Sequence, residues 1–494
     1  MKYTLFTGAT GLLGAYLLRD GMAAGEHYAV IARSSLMESA RSRIETMLAR
    51  FEKEWQRPLP RPVVLEGDLS KPELGLSPED LRWVRSHCDK VLHNAASLIF
   101  YRDEETNEPY RSNVDGTRHV LALAEQANIR VFHHVSTSYV CGLRKDRCLE
   151  SELDVGQQFG NDYEKSKVEA EKMVRSASFL DSLTVFRPAI IIGDSQTGYT
   201  STYHGFFTPL KIAHGLTAIS PVGVVEGMPL LRAIGFSGTE QKNFVPVDWV
   251  STVMTHVMTH REHWGKTYHL VPRNRVSVLT SLKVFEEALK RFYTDKQRQD
   301  GKQRLEGETG NDWQQPQDVF RDQMGVYQSY WRDDPTFDDA NVRETAPHLP
   351  CPTMNFAPLI RMAMFALENG FGWPKPKPIL PPVDLHEKLG QLVSRSDEKA
   401  AARMFGLQIN GQGGGEWTIR VTDDGTKLLT LLPGLPTTEI PRLNLNGETW
   451  LRLHRKQDTP ATAIASGAIL LELLPKTGGM IPHFLENLLD TLTA

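Results

Sequence analysis

The chain has 494 residues, 40% hydrophobic and 23% charged. That is globular composition on a chain too long for one ordinary core, so two or more domains are expected. A net charge of −4 lacks the basic surplus of a nucleic-acid binder. No run of about 18 apolar residues marks a membrane span. The four cysteines, Cys88, Cys141, Cys148 and Cys351, show no CxxC spacing and read as reduced thiols of a cytoplasmic protein.

A strand starts at once, with no signal peptide ahead of it. Tyr3–Phe6, Tyr28–Ala32, Val63–Glu66, Lys90–His93, Val131–Val135 and Thr184–Arg187 are short, proline-free apolar runs that read as buried strands. Helix-period segments such as Val114–Ala127 lie between them. This alternation predicts a parallel sheet covered on both faces through about residue 275. Ser195–Phe236 is expected to be less regular, on the substrate side. The polar stretch 295–318 is expected to be a mobile or surface loop, and 354–371 returns to an apolar pattern. PKPKPILPP (374–382) predicts a stiff linker and the main domain boundary. Beyond it, Leu385, Leu389, Leu392 and Val393 are spaced for a helix. Trp417, Ile419 and Val421 alternate as a strand between Gly413–Gly415 and Asp424–Gly425 turns, and Ile481–Leu492 carries one apolar helix face.

Gly8-Ala-Thr-Gly11-Leu-Leu-Gly14 follows the first strand and opens a helix. Gly8 permits the tight turn, Gly11 lets backbone approach a pyrophosphate, and Gly14 allows close packing. The helix N-terminus then offers N–H groups to the anion, with Thr10, Leu12 and Leu13 completing the loop. The second strand ends on Ala32-Arg33, where an NAD-preferring fold usually has an acid for the ribose 2′-hydroxyl. Arg33, assisted by Arg43, would instead attract a 2′-phosphate, so NADPH is the expected cofactor.

Tyr163 and Lys167 stand at i and i+4 on one helix face. A nearby ammonium is expected to lower the phenol pKa and fit it for proton transfer near neutral pH. VSTSYVCG (135–142) ends a strand with three hydroxyls that can hold a carbonyl oxygen beside that phenol. His133 and His134 read as packing residues and Asp248 as a structural carboxylate.

GATGLLG, GDLS (67–70), HNAA (93–96), NVDGT (113–117), VSTSYVCG, YEKSK (163–167) and FRPAIIIG (186–193) together resemble the extended short-chain dehydrogenase/reductases over residues 1–270. GDLSKPELGLS and VSTSYV are most similar to the thioester reductase and fatty acyl-CoA reductase branch. The resemblance implies that Asp68 and Leu69 hold the adenine, and that Asn94, Ala95 and Ala96 pass the cofactor. It implies that Asn113 orders a water for proton relay and that Pro188 and Ala189 approach the nicotinamide. It makes Thr137 the hydroxyl partner of Tyr163 and Lys167, with Ser136 and Ser138 as alternatives.

Residues 405–425, 443–453 and 463–472 resemble sterol carrier protein 2 domains, which surround an apolar tunnel, although LLPKTGG (473–479) departs from that pattern. The expected fold is therefore α/β: a Rossmann-type doubly wound parallel sheet with a C-terminal α+β sterol-carrier-like domain. The expected domains are 1–373 (core 1–275), the linker 374–382, and 383–494. The expected activity is NADPH-dependent reduction of a lipophilic carbonyl, a fatty acyl thioester or long-chain aldehyde. The alternatives are a hydroxysteroid or sterol dehydrogenase, or a lipid-binding or transfer protein on an inactive scaffold. A dimerisation or docking role is the alternative for the C-terminal domain. Expected partners are a lipid-like molecule, as its CoA or carrier-protein thioester, and a second copy of the chain.

Overall fold

The computed structural model describes residues 2–35, 38–219, 227–233, 235–300, 324–330, 332–372, 385–394, 401–411, 414–435, 440–472 and 482–494. The linker 374–382 and the segment LLPKTGG lie outside the described residues.

Seven strands form the main sheet: β1 (Tyr3–Thr7), β2 (Tyr28–Ala32), β3 (Val63–Glu66), β4 (Cys88–His93), β5 (Val131–Val135), β6 (Ser182–Pro188) and β7 (Thr267–Leu270). Their order is β7-β6-β5-β4-β1-β2-β3. β1 pairs parallel with both β2 and β4, and β5 pairs parallel with β4 and β6. The fold is the doubly wound Rossmann type. β1 and β2 are buried at every position, which is why they read as continuous apolar runs rather than alternating ones. The order reverses between β1 and β4, so a crevice opens at the carboxyl ends of these strands, where such folds bind ligands.

Around the sheet run α1 (Leu12–Ala23), α3 (Pro78–His87), α4 (Gly116–Gln126) and α5 (Asp162–Arg175); α2 (Ala40–Trp55) lies in the chain between β2 and β3. The supposedly irregular stretch 195–236 contains two helices, α6 (Phe207–Ile219) and α7 (Gly227–Ala233). Phe207, Leu210, Ile212, Ala213 and Leu216 are all buried, so α6 has too broad an apolar surface to show a clear stripe in sequence. Then come α8 (Val247–Thr259) and α9 (Val278–Asp300). The helix α9 takes in 295–300, the start of the stretch expected to be a loop. Lys, Gln and Arg are good helix formers, so their polarity did not end a helix already anchored by apolar residues. Residues 301–318 lie outside the described residues.

The chain divides into two compact units. One comprises 2–32 and 65–376; the other comprises 33–64 together with 377–494. The second unit carries a five-stranded sheet of β8 (Ala402–Asn410), β9 (Gly415–Thr422), β10 (Leu428–Pro433), β11 (Arg442–Asn446) and β12 (Ile469–Glu472), in the order β10-β9-β8-β11-β12. The β8–β9 and β9–β10 pairs are the antiparallel hairpins expected from the glycine and Asp-Gly turns, whereas β8 and β11 run parallel. Leu385, Leu389, Phe405, Leu407, Trp417, Trp450, Leu488 and Leu489 share one buried core, giving an α+β unit.

The segment 33–64 belongs to this unit through specific contacts. Arg41 pairs with Glu416 at 2.8 Å, and Asn444 Nδ2 donates to Leu59 O at 3.0 Å. Arg61, its side chain 1% exposed, donates to Glu52 Oε1 at 2.6 Å and Oε2 at 2.9 Å, and reaches Glu45 Oε2 at 3.1 Å. These bonds satisfy a guanidinium that burial alone would strongly disfavour.

Candidate active site

The glycine loop shows which of its residues serve packing and which leave room. Gly8 has φ +81°, and a Cβ there would stand 2.5 Å from Ala95 N. At Gly14 a Cβ would stand 2.0 Å from Gly8 O. At Gly11 the nearest atom would be 3.5 Å away, an ordinary contact, and Gly11 is exposed. Gly11 caps α1 without any side-chain hydrogen bond, and no acidic residue occupies the first turn. The N–H groups of Leu12, Leu13 and Gly14 thus open a helix whose positive end carries no carboxylate of its own. This cradle fits a pyrophosphate. Across it, Asn94 Nδ2 donates to Gly8 O at 3.1 Å, which fixes the turn after β4; Ala95 is half-buried and Ala96 exposed.

Behind the cradle a buried polar chain ties β1 to α5. Thr117 Oγ1 donates to Asn113 O at 2.6 Å, so His93 Nε2, 3.0 Å from the same oxygen, must be the donor there. His93 Nδ1 then accepts from Thr7 Oγ1 at 2.7 Å. Burial holds His93 down at about 3, which keeps this neutral tautomer. Asn113 sits in a turn of π-helix; its Oδ1 accepts from Ser97 N at 2.7 Å and its Nδ2 donates to Ser166 Oγ at 2.9 Å. Ser166 in turn donates to Tyr163 O at 2.8 Å. Asn113 is placed as a clasp between the loop after β4 and the helix α5 (Asp162–Arg175).

Asn161 caps α5: its Oδ1 accepts from Glu164 N at 2.9 Å, which starts the helix one residue before Tyr163. Lys167 is buried and its Nζ donates to Val135 O at 2.8 Å, the last carbonyl of β5. Two residues on, Thr137 caps the short turn 138–141 by accepting from Tyr139 N at 3.2 Å. Thr137 Oγ1 also lies 3.5 Å from Pro188 O, and its hydroxyl acts on the phenol of Tyr163 by favouring the charged form. The structure therefore brings Thr137, Tyr163, Lys167 and Pro188 together. Ser138 Oγ is buried without a hydrogen-bond partner.

The expected depression of the phenol pKa is not what the structure shows. Burial pushes Tyr163 up to about 12, and the Thr137 hydroxyl draws it only partly back. Lys167 is itself pulled down to about 8 by burial, with Glu171 opposing. Desolvation disfavours the charged form of each group and is the largest cause of both shifts. The phenol is therefore held protonated at neutral pH, as a proton donor.

The remaining expected residues are spread more widely. Asp68 and Leu69 follow β3: Asp68 Oδ1 accepts from Ser70 N at 2.9 Å, and Leu69 O accepts from His119 Nδ1 at 2.7 Å. Ala189 N donates to Leu270 O at 3.0 Å. Arg33 is exposed and belongs with the other unit, where Arg43 Nη1 donates to its carbonyl at 2.6 Å. His133 and His134 are buried and held neutral by desolvation, and Asp248 accepts from Ser195 N and Oγ at 2.9 and 2.7 Å. All four cysteines are free thiols.

Sequence reasoning missed the aromatic surroundings of Tyr163. Phe100 O accepts from Tyr163 N at 3.2 Å, and the Phe100 ring centroid lies 6.2 Å from that of Tyr163. Tyr327 meets Phe100 edge-on at 5.3 Å between centroids, and Tyr330 lies tilted against it at 5.4 Å. Asn161 Nδ2 donates to Tyr330 Oη at 3.0 Å, and Tyr139 Oη donates to Asp334 Oδ2 at 2.7 Å. Asn161 three residues before Glu164 is a readable cap signal. Nothing local ties Tyr330 or Asp334 to this helix.

A family model described as "Male sterility protein", for an NAD-binding domain, matches residues 6–254. The chain belongs to this family. Within and beyond it, the chain is 27% identical over 281 residues to the "Nonribosomal peptide synthetase asaC" of Aspergillus flavus, covering 54% of this chain and 26% of that protein. It is 24% identical over 281 residues to the "Fatty acyl-CoA reductase wat" of Drosophila melanogaster, covering 50% of this chain and 52% of that protein. The chain thus spans about a quarter to a half of the length of these relatives. The crystal structure of the terminal R domain from the myxalamid PKS-NRPS pathway has the same fold, with TM-score 0.58, 24% identity, and coverage of 75% of this chain and 92% of that one. Among the described residues of this male sterility family member, no helix is long and apolar enough to cross a membrane.

Proposed function

We propose that the chain is an NADPH-dependent reductase of a lipophilic carbonyl, a fatty acyl thioester or a long-chain aldehyde. The observation that carries the reading is Tyr163, its phenol held protonated, one turn from buried Lys167 on α5, whose Nζ reaches the end of the strand that leads to Thr137. A reduction places negative charge on the former carbonyl oxygen. Thr137 holds that oxygen and Tyr163 gives it a proton. Lys167 restores charge balance next to the resulting phenolate. When bound, the nicotinamide supplies the hydride. The residues that would hold the cofactor are Gly8, Thr10, Gly11, Leu12, Leu13, Gly14, Asp68, Leu69, Asn94, Ala95, Ala96, Pro188 and Ala189. For a thioester, the protonated adduct is a hemithioacetal; as its C–S bond breaks, the hydroxyl proton passes to the departing thiolate and an aldehyde remains.

NADPH is favoured because Arg33 follows β2 directly, where an acid would be needed for the 2′-hydroxyl. The apolar substrate is favoured by the rings of Phe100, Tyr327 and Tyr330 and by the exposed Leu98 and Ile99 in the loop that leads to Tyr163. A reductase at 1–373 and a sterol-carrier-like domain at 383–494 remain the proposed division, with the second supplying lipid. The relatives' names, a fatty acyl-CoA reductase and nonribosomal peptide synthetases, favour a thioester, presented on CoA or a carrier protein.

The test is an assay of NADPH and NADH oxidation with acyl-CoAs of graded chain length, aldehydes and sterol ketones, with copurifying lipid identified by mass spectrometry. Oxidation with long acyl-CoAs or aldehydes supports the reading. Turnover confined to sterol ketones would move the substrate class, and no turnover with any carbonyl would leave only the lipid-binding alternative.

A further inference from the structure

Tyr163, Lys167 and Glu171 follow one another at intervals of four along α5, so they fall on one helix face with Lys167 in the middle. Glu171 is fully buried and so is its partner, Arg187 of β6, with side chains 0% and 1% exposed. Arg187 Nη2 donates to Glu171 Oε1 at 2.6 Å and Arg187 Nε donates to Oε2 at 3.0 Å, a bidentate pair. Arg175, one turn further along α5, donates to Oε1 from Nε and Nη2 at 2.9 and 2.8 Å. Neither the proton donation by Tyr163 nor the holding of the carbonyl oxygen by Thr137 uses this pair directly.

A buried ion pair is poor evidence for stability, because the cost of desolvating both charges can exceed their attraction. Its contribution lies in what it touches. Arg187 immediately precedes Pro188, whose carbonyl lies 3.5 Å from Thr137 Oγ1, and Arg187 Nη1 also donates to Glu152 O at 2.7 Å. Glu171 stands one turn from Lys167. Burial opposes charge on Glu171, but the Arg187 guanidinium, by its charge and its hydrogen bonds, and then Arg175 outweigh it and hold the carboxyl below its ordinary range. Glu171 is therefore ionised at neutral pH, and its charge opposes the fall that burial imposes on Lys167. The other titratable groups in reach of Lys167 carry no negative charge. Tyr163, on the same helix, is pushed up to about 12 by burial and stays protonated. His93 on β4 and His134 on β5 are lowered by burial, His93 to about 3, and are neutral. Arg175 and Arg187 are cations.

We propose that Glu171 is a positioning residue of the reductase site: gripped by Arg187 and Arg175, it supplies the counter-charge that keeps Lys167 an ammonium beside Tyr163. A desolvated ammonium without an anion gives up its proton readily. Lacking Glu171, Lys167 would be neutral over much of the range in which the phenol donates, and the phenolate left behind would have no cation beside it. The consequence for turnover rests on the reductase reading; the charge of Lys167 does not.

The test is a pH titration of the full-length chain, its lysines labelled with carbon-13 at Cε and followed by NMR, with the Lys167 signal assigned by its loss in Lys167→Met. In the wild type that signal should titrate at about 8. In Glu171→Gln it should titrate about one pH unit lower or more, because the nearby opposite charge is gone. The alkaline fall of kcat should move down with it. Glu171→Asp keeps the charge and should titrate closer to the wild type than Glu171→Gln does. If Glu171→Gln fails to fold with Arg187 left unpaired, Glu171→Gln/Arg187→Gln removes both buried charges together and should move the midpoint in the same direction. A merely structural pair would lower the melting temperature and leave the Lys167 midpoint and the kcat profile unmoved. An unmoved midpoint in whichever variant folds therefore overturns the proposal. A wild type that reduces no carbonyl at any pH would overturn the reductase reading instead, and the Lys167 midpoint would still decide the part played by Glu171.

Discussion

Tyr163 is one residue into its helix and half-buried, and both facts bear on what it can do. Its ring centroid lies 6.2 Å from that of Phe100, a contact that a phenylalanine keeps. Tyr163→Phe is therefore expected to fold normally and bind cofactor nearly as well, while kcat falls about 10²–10⁴-fold. Retention of more than about a tenth of kcat would remove Tyr163 from the role of proton donor. Lys167 offers an independent check. Its pKa is pulled down to about 8, so it is charged below that pH and neutral above it. If its charge supports the phenolate, kcat should fall as pH rises through about 8. A flat profile from about pH 7 to 9.5 would mean that Lys167 acts only by position, through Val135 O.

The glycine loop separates two kinds of glycine within one element. Gly14→Ala puts a Cβ 2.0 Å from the Gly8 carbonyl, backbone that cannot move aside cheaply. It should destabilise the fold by about 1–3 kcal/mol or more. Gly11→Ala meets nothing closer than 3.5 Å and should leave the melting temperature unchanged while raising KM for the cofactor. Paired melting and kinetic measurements distinguish them; equal melting temperatures would contradict the packing role of Gly14. These roles were legible in the order of the residues, because strand, glycine turn and helix are contiguous. So were the buried strands, whose apolar runs need no partner to be recognised. The strap around Tyr330 and Asp334 was not legible, because it reaches Asn161 and Tyr139 across more than a hundred intervening residues. The pKa of Tyr163 was misjudged for a related reason. The i, i+4 spacing reveals the ammonium, but only the packed structure reveals how dry the site is.

On the scale of the whole molecule, the placement of 33–64 was invisible in sequence, since composition marks a boundary only at the prolines. Deleting 377–494 would strip Arg41 of Glu416 and Leu59 of Asn444. The truncated chain is expected to melt lower, because the segment 33–64 loses these partners, while turnover of a short aldehyde at saturating cofactor persists. An unchanged melting temperature would show that 33–64 holds its shape without that sheet. The same arrangement sets an order of events during synthesis. Residues 33–64 leave the ribosome well before β9 and β11, the strands that carry Glu416 and Asn444. At roughly 5–20 residues per second, the helix α2 waits on the order of 20 s or longer for its partner. Nascent chains arrested before residue 377 should therefore be cut readily by trypsin after Arg50 and Lys53, within α2, and full-length chains should not.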